Sequence, residues 1–101
     1  MNFDMLKQAQ QLKSSLDRAQ KELGKMVIEA ESGKGAVKVQ VNGQQKLLSI
    51  KITPEAMNPD KPQDLEKLIM KAITEANNKS QKIASDKLKG LTGGLKIPGL
   101  M

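Results

Sequence analysis

The chain has 101 residues, one domain's worth, and carries 17 Lys plus Arg against 11 Asp plus Glu, a formal charge of +6 with a pI near 9.7. It has no His, Cys, Trp or Tyr and a single Phe, which removes the imidazole base, the thiolate nucleophile, the Cys/His zinc site and the disulfide. No run is apolar enough for a signal segment or a membrane span. The expectation is a cytoplasmic, non-enzymatic protein with no cofactor, no metal and no small-molecule substrate.

The first 26 residues carry the pattern of one amphipathic helix. Met5, Ala9, Leu12, Leu16, Ala19, Leu23 and Met26 are spaced alternately four and three apart, the narrow heptad seam rather than a broad globular stripe. Asn2 is placed to cap it, Asp4 lies where the helix dipole favours an acid, and Gly24 weakens the last turn. Between Val27 and Thr53 the period switches to two. Val37, Val39 and Val41 alternate with Lys38 and Gln40, and Leu48, Ile50 and Ile52 with Ser49 and Lys51. Asn42-Gly43 between these runs predicts a two-residue type I′ hairpin turn. A strand over Val27–Glu31, joined through Ser32-Gly33-Lys34-Gly35, completes a three-stranded antiparallel meander with one face to cover.

Pro54, Pro59 and Pro62 interrupt the pattern, and Asp60 with Gln63 resembles a capping box ahead of a second long helix reaching about Leu88. Its first half has a wide apolar stripe, Leu65, Leu68, Ile69, Ala72, Ile73 and Ala76, suited to cover the sheet. Its second half thins to Ser80, Ile83, Ala84 and Leu88. Residues 90–101 hold four Gly and one Pro and are read as a flexible tail after a single α+β domain over 1–89. The Met residues at 5, 26, 57 and 70 suggest core filler.

Lengths constrain the architecture. A helix of about 25 residues is roughly 37 Å long, whereas a six-residue strand spans about 20 Å. The helices must overhang the sheet as projecting arms, because a compact 100-residue domain has a radius of gyration of about 13 Å. A core this small, without large aromatics, gains from a second copy, and seams left exposed on arms predict a homodimer in which they pair.

The positive excess is confined to the helices and tail: residues 27–60 hold four bases and four acids. On the first helix Lys7, Gln11, Ser14, Arg18, Lys21 and Lys25 form an acid-free stripe opposite the seam. On the second, Lys79, Lys82 and Lys89 align, with Lys87 beside the row and Asp86 interrupting it. Such stripes on two arms suggest nucleic acid rather than a merely solvated face. Sixteen of the seventeen bases are Lys, so phosphate attraction should outweigh base readout. With Phe3 the sole aromatic there is no stacking platform for single strands, and duplex DNA is the better target. Glu29 and Glu31 share a strand face but lack any catalytic partner, and Gly33-Lys34-Gly35 lacks Walker spacing and fits a hairpin turn.

Leu6-Lys7-Gln8-Ala9-Gln10-Gln11, Gly33-Lys34-Gly35-Ala36-Val37-Lys38-Val39 with Asn42-Gly43, Ile50-Lys51-Ile52-Thr53-Pro54, Leu91-Thr92-Gly93-Gly94-Leu95 and Pro98-Gly99-Leu100 occur here in an order and spacing that resembles the YbaB/EbfC family of bacterial nucleoid-associated proteins. The resemblance covers essentially the whole chain. It implies a small sheet flanked by long helices, a tweezer-like homodimer, and duplex binding by Lys7, Lys13, Arg18 and Lys21 on the first helix and Lys79, Lys82, Lys87 and Lys89 on the second. Lys25 joins this set from the outer stripe. The implied role is organisation of the chromosome at the nucleoid, with effects on gene expression. The competing reading is a protein-interaction adaptor that docks through its seams and apolar tail. Salt separates the two, because phosphate binding weakens steeply with ionic strength and apolar docking does not.

Overall fold

Val37, Val39 and Val41 are fully buried and Lys38 between them is exposed, so the period of two in the sequence becomes the two faces of a strand. The structure, a computed structural model, describes residues 3–91. Its elements are α1 (Phe3–Lys25), β1 (Ile28–Ser32), β2 (Val37–Val41), β3 (Leu47–Ile52), a short 3-10 turn (Pro54–Ala56) and α2 (Pro62–Leu91). The strands form an antiparallel sheet in the order β1-β2-β3, as the sequence predicts. β1 starts one residue later than expected, which leaves Val27 exposed and puts Ser32 in register with Val37.

The β1–β2 loop turns on three consecutive residues with positive φ, Gly33 at 60°, Lys34 at 55° and Gly35 at 87°, closed by the Ala36 amide donating to Gly33 O at 3.2 Å. Two glycines bracket the one side chain that must tolerate this region. The β2–β3 connection departs from the expected two-residue turn. Asn42 and Lys46 close a three-residue loop, with the Asn42 amide on Lys46 O at 2.9 Å, and the positive φ falls on Gln45, at 64°, and not on Gly43. Asn42 Oδ1 accepts from the Gln44 and Lys46 amides, at 2.9 Å each, and a bulge at Gln40/Val41 absorbs the extra residue.

Gly43 serves a different purpose: its amide donates to Leu23 O at 2.7 Å, and a Cβ there would lie 2.7 Å from the same oxygen. The last turn of α1 leaves carbonyls without helical partners, and this loop donates to two of them, Leu23 O and Gly24 O, and to Gln20 O one turn earlier. Asn42 Nδ2 donates to Gly24 O at 3.3 Å, and Gln44 Nε2 donates to Gln20 O at 2.9 Å. Ser80 of α2, fully buried, donates from Oγ to Asn42 O at 2.7 Å. The end of α1, the hairpin and the middle of α2 thus meet at one corner. Among the described residues no buried side-chain polar atom lacks a partner.

The first half of α2 lies on β1 and β2, with Ala72 and Ala76 fully buried and Leu65, Leu68, Ile69 and Ile73 packed around them. Ser32 Oγ donates to Leu68 O at 2.6 Å and fixes the helix over β1. The second half runs beyond the sheet, antiparallel to α1. Ser80 is tied through Asn42 to the level of Gly24, while Leu91 lines a cleft with Ser15 and Arg18. The two helices thereby build one arm, and the molecule measures 68 × 23 × 17 Å with a radius of gyration of 19.0 Å, well beyond a compact chain of this length.

Several expectations are corrected here. The seam of α1 is not wholly left for a second copy: Ala19 and Leu23 are buried and Leu12 and Leu16 half-buried, with α1 packed on the chain's own α2. Its upper residues Phe3, Met5 and Leu6 are exposed. Asp60 does not cap α2. It lies in the Asn58–Lys61 turn with its amide on Asn58 Oδ1, and α2 begins at Pro62, whose missing N–H costs nothing in a first turn. The helix also continues through Gly90 to Leu91, past the predicted start of the tail, and Leu91 lines a cleft shared with α1. Met5, Met57 and Met70 are exposed rather than core filler: Met70 is off the sheet-facing stripe of α2 and Met5 lies beyond the helix pairing. The cap assigned to Asn2 and the tail over 92–101 lie outside the described residues.

Two glycine substitutions separate these contacts. Gly43→Ala should destabilise the protein by about 1–3 kcal/mol, since the loop must move off Leu23. Gly90→Ala, in a helix with nothing within 4 Å of the new Cβ, should stabilise it by up to about 1 kcal/mol. Urea unfolding followed by helical circular dichroism measures both.

Candidate nucleic-acid interface

Helical spacing places Lys7, Arg18, Lys21 and Lys25 on the side of α1 away from the buried Ala19 and Leu23, with Gln11 and Ser14 between them. All six are exposed. Lys13 is exposed too but lies off this stripe, near Asp17, four residues on. No acid occupies a position of this row, although Glu22 borders it between Arg18 and Lys25, and the row runs along an arm that extends past the sheet.

The four lysines of α2 have different surroundings. Lys82 is exposed and loosely paired within its helix to Asp86, at 3.9 Å, a contact of little energetic weight. Lys89 is exposed near the end of α2. Lys79 sits where α2 still crosses the sheet, and its Nζ donates to Glu29 O of β1 at 3.1 Å. Lys87 is only 28% exposed along its side chain and pairs with Glu22 of α1 at 2.5 Å. The exposed positive surface is therefore largely that of α1 plus Lys82 and Lys89, while Lys79 and Lys87 are held against β1 and α1.

Sequence spacing alone missed Glu22. It stands four residues after Arg18 and three before Lys25, and a stripe drawn through the bases passes beside it without revealing that it faces α2. The Lys87 ammonium, by hydrogen bond and charge, holds the Glu22 carboxyl below the ordinary glutamate range; desolvation opposes this and exceeds the separate assistance of Arg18 or of Lys25. Ser15, Arg18, Ala19, Glu22, Lys87 and Leu91 line one cleft of about 100 Å³ between the helices.

The wet face of the sheet differs from the arm. Glu31 pairs across the ladder with Lys38, Lys38 with Lys51, and Gln40 Nε2 donates to Glu29 at 3.2 Å, so both signs are interspersed. Among the described residues no three acidic side chains gather as a metal site, and no helix is long and apolar enough to cross a membrane. One further surface stands out. α2 packs on β1 and β2, while β3 is an edge strand whose Leu47, Leu48 and Ile50 remain 43%, 45% and 41% exposed.

A small antiparallel sheet backed by one long helix, with a two-helix arm striped by lysine, defines a class of small α+β proteins built to present a charged rod. The chain belongs to the YbaB/EbfC DNA-binding family, whose model matches residues 1–95; this is a family of DNA-binding proteins and not of enzymes. A nucleoid-associated protein of Pelotomaculum thermopropionicum is 44% identical over 96 residues, covering 95% of this chain and 91% of that protein. One of Thermoanaerobacter pseudethanolicus is 37% identical over 97 residues, 96% of this chain and 87% of its own. The fold matches the crystal structure of an uncharacterized Helicobacter pylori protein with a TM-score of 0.83 at 17% identity, over 92% of this chain and 99% of that one.

The Glu22–Lys87 pair makes the arm sensitive to acid. A carboxyl whose folded pKa is depressed contributes stability that is fully present above its unfolded pKa and lost as pH falls through the lowered folded value. Thermal unfolding across the acid range should show the parent and Glu22→Gln converging below that window and the parent the more stable above it. A constant gap at every pH would remove the pair from the arm's stability.

Proposed function

We propose that this protein is a homodimeric duplex-DNA binder of the bacterial nucleoid, acting in the cytoplasm on chromosome organisation and, through it, on gene expression. The carrying observation is the acid-free stripe of Lys7, Arg18, Lys21 and Lys25, exposed along an arm that extends past the sheet. Lys13, Lys79, Lys82, Lys87 and Lys89 complete the contact set. Lysines recognise phosphates as point charges and carry no base code, so duplexes of different sequence bind alike. The low count of aromatics argues for stacked, paired bases over single strands.

The homodimer is supported by β3. Its outer backbone groups have no strand partner in the sheet, and Leu47, Leu48 and Ile50 are an uncovered apolar patch on the same strand, a combination that invites pairing with another edge. A second copy across a two-fold joins two sheets and gives the DNA two arms, the tweezer arrangement. With α1 and α2 already packed on each other, β3 takes the role of contact between copies in place of the seams.

Two measurements test this reading. A dimer neutralising about six to eight phosphates gives a slope of log affinity against log salt of roughly −5 to −7. Arg18→Ala with Lys21→Ala should weaken binding to every duplex alike and flatten that slope, whereas Lys38→Ala with Lys51→Ala on the sheet should do neither. Equal losses in the two double variants, or a parent indifferent to salt, would favour the adaptor reading instead. Separately, Leu48→Asp with Ile50→Asp should convert a dimer to a folded monomer in light scattering at micromolar concentration. A parent that is already monomeric there contradicts the dimer.

A further inference from the structure

We propose that Glu22 is a built-in competitor for DNA: its carboxylate occupies a phosphate seat formed by Lys87, Arg18 and Ser15 between α1 and α2, and a backbone phosphate displaces it on binding. The inference rests on the DNA-binding reading and deepens it. The Lys87 ammonium and the Arg18 charge both act on the Glu22 carboxylate, and Ser15 lines the same cleft, a set of residues whose donors suit phosphate oxygens. The group that fills the seat in the free protein is itself an oxyanion, 2.5 Å from Lys87 Nζ.

Three features make Glu22 exchangeable rather than a fixed strut. Its side chain is 52% exposed, so it can turn to solvent without a buried charge being left behind. It is held to one face of an exposed helix by flexible torsions and by no further hydrogen bond among those the structure shows. The residues around it are positive on both sides, Arg18 one turn before and Lys25 one turn after, so a phosphate with more charge and more acceptor oxygens competes well for the same donors. Lys87, half-buried on the arm, is pre-positioned by the pair at low further entropy cost. Glu22 thereby lowers the affinity that the basic row alone would give.

The test is a double-mutant cycle on the full chain with a mixed-sequence duplex as the probe. Glu22→Gln should tighten binding roughly fivefold for each freed lysine near 0.15 M salt and steepen the log–log salt slope by about 0.9 for each. In a Lys87→Met background the same substitution should gain clearly less and steepen the slope less, since Lys87 is the donor Glu22 holds directly. An equal gain in both backgrounds would mean simple removal of a negative charge and would overturn the proposal, as would no gain at all. A second measurement needs no variant: the Glu22 carboxyl followed by NMR in the free and duplex-bound protein. Displacement predicts that its pKa rises on binding. Duplex bound with the Glu22 titration unmoved overturns the proposal while leaving the DNA-binding reading intact, and a parent that binds no duplex removes both.

Discussion

The hydrogen bond from the Gly43 amide to Leu23 O, 2.7 Å long, is the contact on which the rest of the molecule turns. A helix end needs acceptors satisfied, and here a hairpin loop supplies the donors: Gly43, Asn42 and Gln44 take three carbonyls of the last turns of α1. The loop can approach so closely because residue 43 has no Cβ. Ser80 closes the corner from the other side, donating to Asn42 O. These bonds fix the direction in which α1 leaves the sheet, and that direction is along the second half of α2.

From this corner follows a division of labour in α2. Its first half spends apolar side chains on the sheet, where Ala72 and Ala76 allow the helix to lie close over Val37, Val39 and Val41. Its second half no longer has a sheet beneath it and meets α1 through smaller residues and the Lys87–Glu22 pair. The hydrophobic centre stays small, without large aromatics, while the arm stays long and polar. The position of α2 over β1 and β2 also leaves Leu47, Leu48 and Ile50 of β3 exposed, so these side chains and the charged arm have one origin in where a single helix was laid.

The parts of this fold visible in the sequence are those that depend on periodicity. Alternation around Val39 gives β2, the stripe from Leu65 to Ala76 gives the cover, and lengths alone require an overhang. What was not visible depends on contacts between residues far apart in the chain. Asn42-Gly43 has the composition of a two-residue turn, yet Gly43 answers to Leu23, twenty residues away, and the positive φ moved to Gln45. Gly90 has the composition of a stop, yet the helix runs on to Leu91, which lines a cleft against α1. The basic residues were legible as a row on α1, where spacing determines direction. Lys87 was not, because its partner Glu22 lies on another helix, and neither residue's neighbours hint at the other.

On the proposed reading the outer face of the arm, built from α1 and the end of α2, meets DNA while the sheet does not. Amide chemical-shift mapping during titration with a short duplex tests it most directly. Perturbations should run along α1 from Lys7 to Lys25 and over Lys82 to Lys89, with Lys38, Lys51 and their strand neighbours unmoved. Perturbations centred on the wet face of the sheet, with the arm silent, would contradict it.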